Sequence, residues 1–264
     1  MQYTIKTPSP TPIAALVLAV FATFTMPAAA AVGGKPASVL KAANFGKERP
    51  SRDARQVANW VLSSGDNKGG SFVIVDKARA RVYVFEPGGR LRAASPVLLG
   101  MAKGDDSAPG IGEKKLSEIP LEERTTPAGR FVAEPGIDEK GDDIVWVDYD
   151  AAVSMHRVIT SNPVERRLQR LMSRTPADNR ISFGCMNLPV KFYEKVLSPT
   201  VKKGETIVYV LPETRPASAV FGFRDGTAGR PLARGGVPKS GGSAVRTTVK
   251  PDSQGLQLNF LDGA

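Results

Sequence analysis

The chain holds one cysteine and one histidine in 264 residues. Cys185 sits in the run Ile181-Ser182-Phe183-Gly184-Cys185-Met186-Asn187, and His156 lies 29 positions before it. A cysteine attacks carbonyl carbon as its thiolate, and a free thiol titrates near pH 8.5. A neighbouring imidazolium can lower that substantially, so a Cys–His pair gives a reactive sulfur at neutral pH and a ready proton donor for a leaving amine. A lone Cys with a lone His is therefore the minimal kit for acyl transfer through a thioester. Gly184 permits tight backbone conformations and close substrate approach. Backbone amides around it can face a tetrahedral oxyanion. Ser182 and Asn187 can hydrogen-bond locally and hold the loop. The competing reading treats the same thiol as a small buried hydrophobe.

Other chemistries find no residues. One Cys and one His cannot supply the usual zinc ligands, and no phosphate-binding glycine loop is visible. The chain implies neither metal nor cofactor.

The N-terminus reads as a secretory signal. Lys6 precedes a 14-residue apolar stretch, Ile13 to Met26, and Pro27 leads into Ala28 to Ala31, with small-residue cleavage sites. The stretch falls short of the roughly 20 residues a membrane span needs, so the mature form is expected to lack a transmembrane helix. Lys6 is the only charged residue in 1–31, so cleavage lowers the formal charge from +10 to +9. A basic exported protein is drawn to anionic polymers. Export points to cell wall or anionic lipid and away from nucleic acid. A single cysteine forms no internal disulfide, so the fold must rest on its core.

Several elements must position the pair. A short helix is expected from Asp53, with Gln56 at capping-box spacing, to Gly65. Strands are expected at 71–76, 80–85, 91–99, 129–134, 143–149, 153–159 and 206–211, rich in β-branched and aromatic residues. Residues 101–126 read as a long loop. Asn162-Pro163-Val164-Glu165 reads as a helix start, and Val164, Leu168, Leu171 and Met172 follow at helical spacing, as on a core-facing stripe. A brief helix is expected over 190–197. The divisions are a signal peptide at 1–31, a poorly ordered leader and short helix at 32–66, one catalytic domain at 67–212, and a flexible Gly/Pro-rich tail at 213–264.

The run Ser182-Phe183-Gly184-Cys185-Met186-Asn187 resembles the active-site signature of the L,D-transpeptidase (YkuD-type) catalytic domain. That signature is a His, a spacer, then Ser/Thr-His-Gly-Cys-hydrophobe-Asn or Arg. The strands with Val75-Asp76 and Val82-Tyr83-Val84-Phe85, the segment Pro96 to Gly100, and Thr126-Pro127-Ala128-Gly129-Arg130-Phe131 resemble further elements of that family in the same order. The resemblance covers about residues 71–211. It implies a mainly β fold with short helices, a mixed β-sandwich forming a single catalytic domain, with Cys185 as nucleophile and His156 as base. It also implies a periplasmic cell-wall reaction on peptidoglycan stem peptides, in which a terminal D-amino acid leaves and an amine accepts the acyl group. Ser182, Gly184, Met186 and Asn187 match family positions. Arg157 is the matching source of the backbone carbonyl that orients the imidazole.

Two departures stand out. Phe183 occupies the usual place of a second His on the substrate side. The 25-residue spacer between His156 and Ser182 is long and carries Arg166, Arg167, Arg170, Arg174 and Arg180. Phe183 and Arg180 are expected to meet substrate, and the insertion to draw in substrate carboxylates. Hydrolysis on the same scaffold, as an L,D-carboxypeptidase or amidase, and an inactive wall-binding protein are the alternatives. The sequence identifies no protein partner.

Overall fold

The computed structural model describes residues 42–223. The chain divides into Met1–Ser38 and Val39–Ala264, and the described residues lie in the second unit. The expected signal segment 1–31 and most of the expected tail, 224–264, lie outside them.

The described part is mostly β with short helices. In chain order it holds helix α1 (Arg52–Ser64), strands β1 (Ser71–Asp76), β2 (Arg81–Phe85), β3 (Leu91–Pro96), β4 (Leu99–Gly100), β5 (Gly129–Ile137), β6 (Asp143–Asp148) and β7 (Val153–Arg157), then helix α2 (Arg167–Met172). Strands β8 (Arg180–Ser182) and β9 (Met186–Leu188) follow. Helix α3 (Val190–Phe192) runs through a π turn (Tyr193–Leu197) into α4 (Ser198–Lys203), and β10 (Thr206–Val210) and α5 (Ala217–Phe221) complete the order. Eight strands form one mixed sheet in the order β3-β2-β1-β10-β5-β6-β7-β9, and β4 pairs with β8. The β1–β10 and β7–β9 pairs are parallel.

Alternation along the strands builds two cores, because successive side chains point to opposite faces. On one face Phe72, Ile74, Tyr83, Phe85, Ile207 and Tyr209 pack against Val57, Ala58 and Val61 of α1. On the other, Val73, Val75, Val82 and Val84 join Met155, Met186, Leu188, Tyr193 and Leu197. The second core fixes the site, because Met155 and Met186, both fully buried, lie beside His156 and Cys185 in sequence and send those side chains to the opposite face.

Several expectations need correction. The α1 N-cap is Ser51, whose Oγ accepts from the Ala54 amide at 3.0 Å, so the cap lies two residues before Asp53. Gly65 closes the helix in the left-handed region, as its sequence position suggests. The leader is ordered from residue 42. Asn44 bridges to Arg90, and the Phe45 ring meets Tyr83 and Phe85 edge-on at 5.3 and 5.0 Å. Residues 213–223 also belong to the fold, since Phe221 and Phe223 pack on Trp60. The stripe in the spacer is mostly outward. Arg166 adopts φ +52° and separates a 3₁₀ turn at Pro163–Glu165 from α2, so only Leu171 is buried. Val164, Leu168 and Met172 are 84, 55 and 76% exposed. Among the described residues no helix is long and apolar enough to cross a membrane.

Candidate active site

The parallel pairing of β7 with β9 brings the sole thiol and the sole imidazole onto one face. Met155 stands opposite Met186, His156 opposite Asn187, and Arg157 opposite Leu188. Because side chains alternate, Ser154 and His156 share a face of β7, and Cys185 and Asn187 share the matching face beside β9. The contacts agree with that register. The Ser154 hydroxyl donates to Cys185 Sγ at 3.6 Å, and the thiol donates to the Ala152 carbonyl at 3.6 Å. Asn187 Nδ2 lies 3.4 Å from His156 Nε2 and 3.4 Å from the Cys185 carbonyl. β9 ends the eight-stranded order, where its free side is bridged by Leu98: the Leu98 amide donates to the Asn187 carbonyl and the Asn187 amide to the Leu98 carbonyl, each at 2.9 Å.

His156 Nδ1 lies 2.7 Å from the Arg157 carbonyl, the backbone atom the sequence pointed to. The residue that bears this carbonyl is anchored through its side chain. The Arg157 guanidinium bonds Asp143 at 2.6 Å and Glu194 at 3.0 Å and lies over the Tyr193 ring at 4.7 Å. Asp143 in turn accepts from Ser198 at 2.9 Å and Lys202 at 3.0 Å. Burial would raise the Asp143 carboxyl, but these donors outweigh it and hold it far below the usual range. The imidazole thus rests on a carbonyl anchored to β6 and to the helical run after β9.

The loop that presents the cysteine is tied by short bonds. Ser182 Oγ donates to the Cys185 carbonyl at 2.6 Å and accepts from the Gly184 amide at 3.2 Å. The Gly184 amide is therefore engaged inside the loop. Gly184 adopts φ +140°, and a Cβ there would lie 2.9 Å from the Thr125 carbonyl oxygen, so both conformation and space require glycine. Thr126, from the Thr-Pro-Ala-Gly segment, donates to the Gly184 carbonyl at 2.8 Å and accepts from the Gly100 amide at 2.9 Å.

The resting electrostatics differ from a preformed ion pair. Burial pushes the Cys185 thiol up, with the Ser154 hydrogen bonds and the Arg167 charge opposing. Burial also pushes the His156 imidazole down; the Arg157 carbonyl opposes this and the Arg167 charge adds to it. Both shifts favour the uncharged forms.

The remaining sequence-predicted residues lie elsewhere. The Arg180 guanidinium, expected to meet substrate, is engaged within the fold. It is paired with Glu213 and donates to the Lys77 carbonyl at 3.2 Å and the Gly100 carbonyl at 3.4 Å, with 9% of the side chain exposed. Phe183 packs against the core beside the Cys185 loop, and the Arg124 guanidinium stacks on its ring at 3.9 Å. Of the other spacer arginines, Arg166 and Arg174 are exposed, Arg170 donates to the Glu165 and Asp178 carbonyls, and Arg167 pairs with Glu165 and reaches Asn187. Sequence reasoning missed Ser154, although its place two residues before His156 on a strand marks it as sharing that face.

No family model matches the sequence, and no curated protein matches it. Solved structures similar to it include the helical cell shape determining protein Pgp2 from Campylobacter jejuni, at 15% identity and TM-score 0.38, covering 56% of this chain and 49% of that one. Another is the catalytic domain of the E. faecium L,D-transpeptidase, at 15% identity and TM-score 0.33, covering 54% and 98%. A third is an L,D-transpeptidase from Xylanimonas cellulosilytica, at 14% identity and TM-score 0.32, covering 53% and 60%. The chain spans about half the length of the Pgp2 chain it matches.

Proposed function

We propose that the protein is a cysteine acyltransferase of the cell envelope acting on peptidoglycan stem peptides, an L,D-transpeptidase. One observation carries the reading: the sole cysteine and the sole histidine share one face of the parallel β7–β9 pair, inside a run that matches the family signature at Ser182, Gly184, Cys185 and Asn187. The signal-like N-terminus supports an exported, periplasmic location, and the formal charge of +10 suits an anionic polymer.

In this reading His156 Nε2 takes the proton from Cys185 Sγ as sulfur attacks the carbonyl carbon between the L-centre and the terminal D-residue. The C–S bond forms and the carbonyl oxygen gains negative charge. Collapse breaks the C–N bond, and the imidazolium gives its proton to the departing amine. The thioester remains. An acceptor amine then attacks the same carbon, His156 removes its proton, and the thiol returns as the amide forms. The neutral resting pair suits this cycle, because the base begins without a proton.

The test is incubation of purified protein with tetrapeptide muropeptides. Cross-linked dimers are expected, and Cys185→Ala is expected to yield none. Tripeptides alone would reassign the protein as a hydrolase. Unchanged donor together with an unlabelled native thiol would leave a wall-binding role.

A further inference from the structure

The long spacer between His156 and Ser182 returns one side chain to the site. Arg167, at the start of α2, places Nη1 2.7 Å from Asn187 Oδ1 and pairs with Glu165 through Nε. Its side chain is 12% exposed. A guanidinium only donates, so the Asn187 atom facing it must be the amide oxygen. The Asn187 NH₂ is then forced to the other side, where His156 Nε2 and the Cys185 carbonyl stand. An NH₂ group also only donates, so the Nε2 facing it must present a lone pair. At the opposite side of the ring, Nδ1 faces a carbonyl at 2.7 Å and must therefore carry the proton.

We propose that Arg167 is a positioning residue for the thiol–imidazole pair: through Asn187 it holds His156 in the neutral tautomer with the lone pair on Nε2 and the proton on Nδ1. Without Arg167 the Asn187 amide is free to rotate and offer Oδ1 to Nε2. That arrangement draws a second proton onto Nε2 while the Arg157 carbonyl keeps Nδ1 protonated, so the ring becomes imidazolium and the base is lost. The spacer insertion is then part of the catalytic apparatus and not a surface for substrate carboxylates. The charged groups acting on this ring are Arg167 and, across the turn after β5, Asp138, with opposite signs. Arg167 also favours the Cys185 thiolate and its charge opposes the imidazolium, so its loss both lets the base become protonated and weakens the nucleophile. The catalytic consequence rests on the function proposed above, but the tautomer itself does not.

The chain's single histidine makes the test direct, because ¹⁵N-histidine labelling gives one ring in the spectrum. The native protein is expected to show a protonated Nδ1 and an unprotonated Nε2 at pH 7. Arg167→Met is expected to lose that pure signature and to slow Cys185 alkylation by iodoacetamide about tenfold, as for one lost charged hydrogen bond. Arg167→Lys, which keeps a donor and the charge, is expected to recover part of both. Asn187→Asp, which replaces the NH₂ by oxygen, is expected to protonate Nε2 and serves as the second variant should Arg167→Met fail to fold. A native ring protonated at Nε2, or unchanged ring signatures in the variants that fold, would overturn the proposal. Muropeptides left unprocessed by a protein that shows the expected tautomer would instead count against the acyltransferase reading.

Discussion

Two polar clusters flank the same loop and are built to opposite standards. Beneath the loop, the fully buried Lys77 ammonium donates to the Gly104 and Thr126 carbonyls and to Asp105 at 3.0 Å. Asp105 also accepts from the Glu213 and Thr214 amides at 2.7 and 2.9 Å, and Glu213 pairs with Arg180. On the β7–β9 face the contacts to sulfur are 3.6 Å and the contact to His156 Nε2 is 3.4 Å, on the outermost strand pair of the sheet. The first cluster is saturated with short bonds, as buried ions must be. The second leaves Sγ with long, weak contacts that a reacting carbonyl can displace, and Nε2 with a 3.4 Å contact that the thiol proton can replace. Thr126 joins them, since its carbonyl receives Lys77 and its hydroxyl holds Gly184. The saturated cluster fixes the loop, and the loosely bonded face carries the proposed chemistry.

The largest effect expected separates chemistry from stability. Cys185→Ala should lower donor turnover about 10⁶-fold, the scale for removing a nucleophile, while the urea midpoint moves by less than about 1 kcal/mol in free energy. Lys77→Met should do the converse. Leaving Asp105 and Glu213 buried beside no ammonium should cost about 3–5 kcal/mol in urea unfolding. Should Lys77→Met leave stability intact, the saturated cluster is not the anchor described. Gly184→Ala should cost about 1–3 kcal/mol from strain at its left-handed backbone and slow Cys185 alkylation, because the added Cβ pushes on the Thr125 carbonyl. Thr126→Val should cost about 1–3 kcal/mol through two groups left without its hydroxyl.

The two clusters should also respond to different ranges of pH. Burial alone would raise the Asp105 carboxyl, but bonds from Thr214, the Glu213 amide and Lys77 hold it at about 2. A depressed carboxyl stabilises the fold above its unfolded value of 3.8, and that contribution is lost as pH falls from there through about 2. Acid titration followed by circular dichroism should therefore show a Thr214→Val and Asp105→Asn double variant losing less stability than native protein between pH 4 and 2. Cys185 moves the other way. With its thiol pushed up by burial, alkylation in the absence of donor should keep rising with pH beyond the range of an ordinary thiol. A plateau near neutral pH would mean a preformed thiolate–imidazolium pair.

The legibility of the molecule followed the range of the interactions involved. The strands and the Gly65 stop were readable because period-two patterning and glycine's left-handed freedom are local properties. The Cys185–His156 face was readable because each is the one residue of its type in the chain and Cys185 falls in a marked run, although Ser154 beside them was overlooked. Residues 43–45 and 213–223 were misread as leader and tail. Their composition is poor in large apolar residues, but Phe45, Phe221 and Phe223 each find aromatic partners far away in sequence. The spacer was misread for a similar reason. Its arginines suggested a surface that attracts carboxylates, and Arg166 and Arg174 are exposed, but Arg167 and Arg180 are engaged by Asn187, Glu165 and Glu213. No local pattern reveals that return, because the 25 residues after His156 must first fold back over β9. Likewise, the left-handed Arg166 broke a helix whose apolar spacing promised a core-facing stripe.

The central claim is that Cys185 is the acyl-accepting atom of the donor reaction. Intact-protein mass spectrometry after brief exposure to a tetrapeptide muropeptide tests it most directly. The account predicts one stem-peptide adduct less the terminal D-amino acid, located on Cys185 and absent from Cys185→Ala. An adduct that survives Cys185→Ala, or crosslinked product formed by that variant, would contradict it.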